Sequence, residues 1–192
     1  MTVTNAETPG KPVLYLVACA APPVLGIADP IEQAQGRGWD VCLILTPTAA
    51  LWLEDSLEEL AKLTGHPVRQ RYKLPGQPDV LPDADAVLVA PATFNVINKW
   101  AAGTADTLAL GLITEGIGKG LPLVALPHLN SWQAAHSAFP RSVEQLRADG
   151  VRVLIEEADG NTPHVPGTPG PRPPFPWALG LDALDDVKSG TP

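Results

Sequence analysis

The chain has 192 residues, a formal net charge of −8 and 45% hydrophobic residues. That length and composition suit one doubly wound domain with a sizeable core, and leave too little chain for two domains of ordinary size. An acidic surface with no basic stripe repels phosphate backbones, which argues against nucleic acid as a partner and leaves a small molecule or another subunit.

No apolar run reaches the ~20 residues that would span a bilayer. The polar opening Met1 to Pro12 lacks a basic stretch followed by an apolar one, so no secretory signal and a cytoplasmic location are expected. The two cysteines, Cys19 and Cys42, make no disulfide framework and read as buried, reduced thiols.

The first element is Val13 to Ala18 (VLYLVA), a continuous apolar run that suits a strand buried on both faces. Pro22 to Gly36 reads as a helix with its prolines in the first turn. A second strand, Val41 to Leu45, is followed by a long amphipathic helix over Pro47 to Thr64, whose acidic run at Glu54, Asp55, Glu58 and Glu59 reads as a solvated face. Val68 to Tyr72 suggests a short edge strand, and Pro75 to Asp85 a loop. Strands are expected at Ala86 to Ala90, Leu123 to Leu126 and Val151 to Ile155, with helical sequence over Val96 to Ala102 and Gln133 to Asp149. Gly150 closes the last helix, and Pro140 should kink or split it. Strands alternating with helices define an α/β fold: a doubly wound, Rossmann-like parallel sheet in three layers, α/β/α.

The character changes after Ala158. Asn161 to Trp177 holds seven prolines and two glycines and cannot form an ordinary core element. The division expected is therefore a domain over 1–158 and a Pro-rich tail over 159–192. The tail runs extended over its own subunit or a neighbour, or else is disordered; Phe175, Trp177, Leu179 and Leu181 look like anchors.

Ligands of open α/β sheets bind beyond the carboxyl ends of the strands. After the first strand, Cys19-Ala20-Ala21-Pro22-Pro23 offers small residues that let a ligand approach, but neither a G-x-G-x-x-G nor a Walker A pattern is present. After the second, Thr46-Pro47-Thr48 is either a plain N-cap or a place where helix N–H groups accept a phosphate. After the third, Ala90-Pro91-Ala92-Thr93-Phe94-Asn95 either caps the next helix or holds a planar, hydrogen-bonding ring. No His, Cys or carboxylate cluster has metal-ligand spacing, so no metal site is expected.

The stretch Ala84 to Leu110 (ADAVLVAPATFNVINKWAAGTADTLAL) resembles the homo-oligomeric flavin-containing cysteine decarboxylases, a family that includes phosphopantothenoylcysteine decarboxylase and the peptidyl-cysteine decarboxylases of lantibiotic biosynthesis. Pro91, Ala92, Thr93, Asn95, Gly103, Asp106 and Leu108 fall in step with the family signature A-D-x-x-x-x-A-P-A-[ST]-A-N followed by G-x-x-D-x-L. Pro127 to Val153 is similar to the segment that starts P-x-M-N-x-x-M-W and ends L-x-x-x-G-V-x-V. The resemblance spans about residues 12–155. It implies a Rossmann-like subunit that binds FMN and assembles as trimers, or as dodecamers built from trimers. Thr46, with Ala20 and Ala21, would hold the FMN phosphate; Ala92, Thr93, Phe94, Asn95 and Asp106 would serve the rest of the cofactor; Asn130 would contact the substrate carboxylate. In such enzymes FMN oxidises a cysteine side chain to a thioaldehyde and carbon dioxide is then lost; the cofactor carries the hard chemistry.

Three departures bear on activity. The family's catalytic His falls eight residues before Asp85, where this chain has Gln77, and Gln is no general base near neutral pH. Leu129 replaces the Met, and Gln133-Ala134 the Met-Trp pair, of the second motif. The first-strand loop lacks the family's Gly-Ser. Of the remaining histidines, His128 beside Asn130 is the best candidate base; His136 lies on the following helix, His66 in a turn and His164 in the tail.

The expected function is an FMN-binding enzyme acting on a small or peptidyl substrate with a carboxylate or thiol, possessing no base at position 77. One alternative is a prenyl transferase of the same fold, disfavoured because Arg141 and Arg147 are the only nearby arginines. The other is a non-catalytic binding or regulatory subunit. Trp100 and Trp132 are either core residues or contacts to a neighbouring subunit in a homo-oligomer.

Overall fold

A computed structural model describes residues 10–155, 160–169 and 173–188. Five parallel strands form one sheet in the order β2-β1-β3-β4-β5: β1 Val13–Ala18, β2 Asp40–Leu45, β3 Ala86–Ala92, β4 Leu123–Pro127 and β5 Arg152–Val153. The chain steps from β1 out to β2, then returns to place β3 on the other side of β1. The β1/β3 boundary is thus the point where strand order reverses, and loops leaving there in opposite directions open a crevice.

Both faces of the sheet are buried, which is why its strands read as unbroken apolar runs. Leu14, Leu16, Leu43, Leu88, Val124 and Leu126 fill one face. It is covered by α1 Ala28–Gly36, α3 Leu57–Thr64 and a C-terminal helix, α8 Trp177–Lys188. Val17, Cys42, Ile44, Val87, Val89 and Ala125 fill the other, covered by α4 Phe94–Ala101, α5 Leu108–Gly118 and α7 Ala138–Ala148.

Several expected elements differ in extent. The helix over 22–36 is a 3-10 turn, Pro22–Gly26, followed by α1. Pro30 explains the break: it has no N–H to donate, and its ring clashes with the carbonyl that a continuous α-helix would place at Gly26, four positions earlier, so the α-helix begins only at Ala28. Pro140 acts likewise on the segment 131–148. His136, four residues before it, is extended (φ −68°, ψ 127°), separating the short α6 Ser131–Ala135 from α7. The helix over 47–64 is divided into α2 Pro47–Trp52, a 3-10 turn at Glu54–Ser56 and α3, where Asp55 and Ser56 favour turns over helix. The edge strand at 68–72 is reduced to one parallel bridge, Ile44 to Arg69. The last strand holds two residues instead of five.

The largest difference lies at the C-terminus. Beyond the proline tract the chain forms α8, with Leu181 and Leu184 in the core. Gly180 lets this helix approach the sheet: a Cβ there would lie 2.9 Å from a Leu88 methyl. Trp100 is a core residue, 2% exposed, whose indole N–H donates to the Ile113 carbonyl at 3.2 Å; Trp132 is 73% exposed. Both cysteines are buried free thiols. Among the described residues no helix is long and apolar enough to cross a membrane, and no metal-binding cluster occurs.

Candidate functional site

The loops after β1, β2, β3 and β4 enclose a cleft of about 580 Å³. Backbone bonds just past the strand ends fix where each loop departs. Thr46 N–H donates to Ala18 O (3.0 Å), Cys19 N–H to Pro91 O (3.1 Å) and His128 N–H to Ala92 O (2.8 Å). The lining residues therefore rise from a rigid floor, a preorganised arrangement for a ligand.

One wall holds Ala20, Ala21, Pro22, Thr46, Thr48 and Trp52. The small residues after β1 leave the backbone approachable, and the hydroxyls after β2 supply polar contacts. The middle holds Thr93, Phe94 and Asn95 at the start of α4, with Thr93 as its N-cap residue in extended conformation. Lys99, one turn further on, also lines the cleft and pairs with Asp106. The far wall holds His128, Leu129, Gln133 and His164.

The chain carries a net charge of −8, yet no Asp or Glu among the described residues lines this cleft. Among the described residues its ionisable side chains are Lys99, His128 and His164. Beneath the floor, burial pushes the Cys19 thiol up to about 11, against the opposing effect of hydrogen bonds from Thr93, so it is protonated and inert near neutral pH.

Of the residues singled out in the sequence, Ala20, Ala21, Thr46, Thr93, Phe94, Asn95 and His128 meet in this one cleft. Ala92 is fully buried at the end of β3, below it. Asp106 reaches it only through Lys99. Asn130 caps α6: its Oδ1 accepts from Gln133 N–H at 2.9 Å, and the Gln133 Oε1 accepts from Asn130 N–H at 3.3 Å, a reciprocal capping box. Gln77 lies elsewhere, in an exposed loop, where its Oε1 accepts from Leu74 N–H at 3.0 Å. It lines a separate depression of about 480 Å³ formed by residues 68–80.

The sequence reading missed His164 as a site residue. A parallel bridge pairs it with Asn130, through Ser131 N–H to His164 O (2.9 Å) and His164 N–H to Leu129 O (3.2 Å). The buried Asn161 amide anchors the same segment, donating to Pro127 O (2.9 Å) and Leu154 O (2.8 Å). Asn161 in a proline-rich stretch is the only local signal for this docking.

Comparison with known proteins agrees with this geometry. The family model described as Flavoprotein matches residues 4–168. A segment of 77 residues is 38% identical to the coenzyme A biosynthesis bifunctional protein CoaBC of Bacillus subtilis, covering 40% of this chain and 18% of that protein. The chain thus spans less than a fifth of the length of that relative. Among solved structures, the FMN-dependent cysteine decarboxylase SpaF superposes with a TM-score of 0.69 at 22% identity, covering 92% of this chain and 97% of that one. A PPC decarboxylase variant complexed with pantothenoylaminoethenethiol gives a TM-score of 0.67 at 16% identity, covering 93% and 99%. The chain therefore belongs to the Flavoprotein family.

Proposed function

We propose that the protein binds FMN in the cleft at the carboxyl ends of β1 to β4 and acts on a small or peptidyl substrate bearing a thiol or a carboxylate. The observation that carries this reading is a cleft at the reversal of strand order, lined among the described residues by Thr, Asn and small apolar side chains and by no carboxylate, in a strongly acidic chain. Its size lies in the range of small-molecule sites, and its Thr, Asn and small apolar lining fits a flavin with an anionic tail.

In this reading Thr46, Ala20 and Ala21 hold the phosphate, and Thr93, Phe94 and Asn95 orient the ribityl chain and the ring. Bound FMN supplies a two-electron acceptor for oxidation at the substrate. Asn130, His128 and the α6 start face the substrate end, where Leu129 and Gln133 complete the wall and restrict water. The expected location is the cytoplasm. The expected assembly is a homo-oligomer built from trimers, supported by exposed apolar residues on α2 and α6, the helices that carry the lining residues Thr48, Trp52 and Gln133: Leu51 (68%), Trp52 (49%) and Trp132 (73%).

A second reading, a non-catalytic binding subunit, is favoured by Gln77. Its side chain stabilises its own loop and lies outside the cleft. One preparation tests both. The visible spectrum, taken with the light-scattering mass before and after FMN soaking and desalting, should show retained flavin bands on an oligomer. A colourless protein that does not retain added FMN sinks the cofactor reading. Retained flavin without oxidation of any cysteine-terminated peptide leaves the binding subunit as the answer.

A further inference from the structure

The connection from β2 to β3 crosses the Cys42 face of the sheet without a helix. Arg69 bridges to Ile44 at the outer edge of β2, and the chain then returns over β1 as the loop 70–85. Leu81 and Tyr15 pack against the core of that face, and the Tyr15 hydroxyl donates to Pro82 O at 2.7 Å. Tyr72 rests on α5, with its hydroxyl donating to Ala105 O at 3.3 Å. Gly111 makes room for it, since a Cβ there would run into the Tyr72 hydroxyl. Between this loop, α5 and the sheet lies a further cleft of about 500 Å³, which shares no lining residue with the cleft at the strand ends.

Its walls combine apolar surface with two unpaired charges. Leu81, Val87, Leu112 and Leu121 supply the apolar part, beside the rings of Tyr15 and Tyr72. Of the charged lining groups, Lys73 pairs with Asp79 at 2.6 Å and Lys119 with Glu115 at 3.5 Å. Arg69 and Asp83 also line the cleft, and neither forms an ion pair among the described residues. The Arg69 guanidinium donates to Arg71 O at 3.2 Å, which leaves most of its N–H groups for another acceptor. Both charges act on the same phenol. Burial, then Cys42, Asp83 and Asp79, push Tyr15 up to about 12, and Arg69 opposes them. Near pH 7 the phenol is therefore neutral, and it lies in the fields of an unpaired carboxylate and an unpaired guanidinium.

A singly charged ligand in this cleft is attracted by one of these groups and repelled by the other, whereas a molecule carrying both charges satisfies the two at once. We propose that the cleft is a second ligand site, for an apolar or aromatic amino acid in its zwitterionic form. The ammonium pairs with Asp83, the carboxylate with Arg69, and the side chain lies on the leucines beside Tyr15. Charge-assisted hydrogen bonds fix the orientation, and burial of the side chain supplies affinity. The volume is in the range of small-molecule sites. This site stands apart from the FMN reading, because the two clefts have no residue in common.

The test uses the full chain with L-phenylalanine as probe, and with 2-phenylethylamine and 3-phenylpropionate as analogues that keep one charge each. Affinity is measured by calorimetry, and the place of binding by amide chemical shifts of 15N-labelled protein. The expected result is L-phenylalanine binding at least about tenfold tighter than either analogue, with shifts in the loop 70–85 and α5. Asp83→Asn should weaken L-phenylalanine about tenfold and tighten 3-phenylpropionate; Arg69→Gln should weaken L-phenylalanine and tighten 2-phenylethylamine. The exposed Asp83 side chain makes no hydrogen bond among the described residues, so Asp83→Asn leaves the fold intact, which its melting temperature checks. No binding of L-phenylalanine, an analogue that binds as tightly, shifts centred on the strand-end cleft, or an Asp83→Asn protein with unchanged affinities overturns the proposal. FMN retention, measured on the same samples, reports separately on the cofactor: a colourless protein that binds L-phenylalanine at the loop 70–85 loses the FMN reading alone.

Discussion

The two faces of the sheet are closed by different means. On the face of Cys42 and Ile44, the cover is built by α4, α5 and α7, which follow β3 and β4 in chain order. On the face of Leu43 and Leu88, α1 and α3 cover part of the sheet, and α8 returns from the far end of the chain to pack on β3 and β4. The second arrangement ties the chain end to the site. The segment leading to α8 carries His164 into the cleft, and Phe175 and Trp177 bridge from His128 to the core. What covers the sheet on one side therefore completes the cleft at its edge.

The most forceful way to break this comparison is to remove equivalent side chains from the two covers. Leu184 on α8 and Leu110 on α5 are both essentially fully buried. If α8 is as integral as α5, Leu184→Ala and Leu110→Ala each cost about 2–5 kcal/mol, read as a shift in the urea midpoint with an unchanged slope. A cost below about 1 kcal/mol for Leu184→Ala alone would show that α8 is a detachable appendage.

A somewhat smaller effect separates the faces by pH. The cluster on the Cys42 face contains two thiols, and the opposite cluster contains no titratable side chain among its buried members. Burial raises Cys19 from 9.0 to about 11; burial, reinforced by Asp40, raises Cys42 to about 12. The fold thus prefers the protonated thiols. Their contribution is complete below pH 9 and is lost as pH rises from there towards 11 and 12, because the unfolded chain releases these protons first. Each thiol should lower stability by up to about 1.4 kcal/mol per pH unit in that window. Urea denaturation between about pH 8 and 10 measures the slope, to which Tyr15, also raised by burial, adds as the unfolded tyrosines begin to ionise. Cys19→Ala and Cys42→Ala should each flatten it. A slope that survives both substitutions assigns the alkaline loss to other groups.

The same contrast explains what was legible in the sequence. Strands such as Val13–Ala18 and Ala86–Ala92 are visible because burial on both faces demands a continuous apolar run, and the loops after them locate the cleft. Helix lengths were overestimated wherever a proline forbids helix four residues earlier, as Pro30 and Pro140 do, because the apolar periodicity runs on through the break. In α8, Trp177, Leu181 and Leu184 have helical spacing, but the proline tract before them masks it and suggests extended chain throughout. His164 was hidden for a different reason. Its position depends on a bridge to Asn130, a contact made by backbone atoms that leaves no mark in side-chain pattern.

The smallest effect concerns what holds α8 in place. Arg37, just after α1, donates to Asp182 at 2.6 Å and Asp185 at 2.7 Å, so charge as well as apolar packing joins the two helices. These side chains are 28%, 66% and 40% exposed, which leaves the pairs in a high-dielectric setting where two long side chains must also be ordered. The buried contacts of Leu181 and Leu184 should therefore dominate. A double-mutant cycle between Arg37→Ala and Asp185→Ala should give a coupling of about 0.5–1 kcal/mol that fades between 0.05 and 0.5 M salt, the order of change set by screening. A coupling of several kcal/mol that ignores salt would reverse the ranking. Charge would then fix the helix that brings His164 to the cleft, and the apolar face would merely follow it.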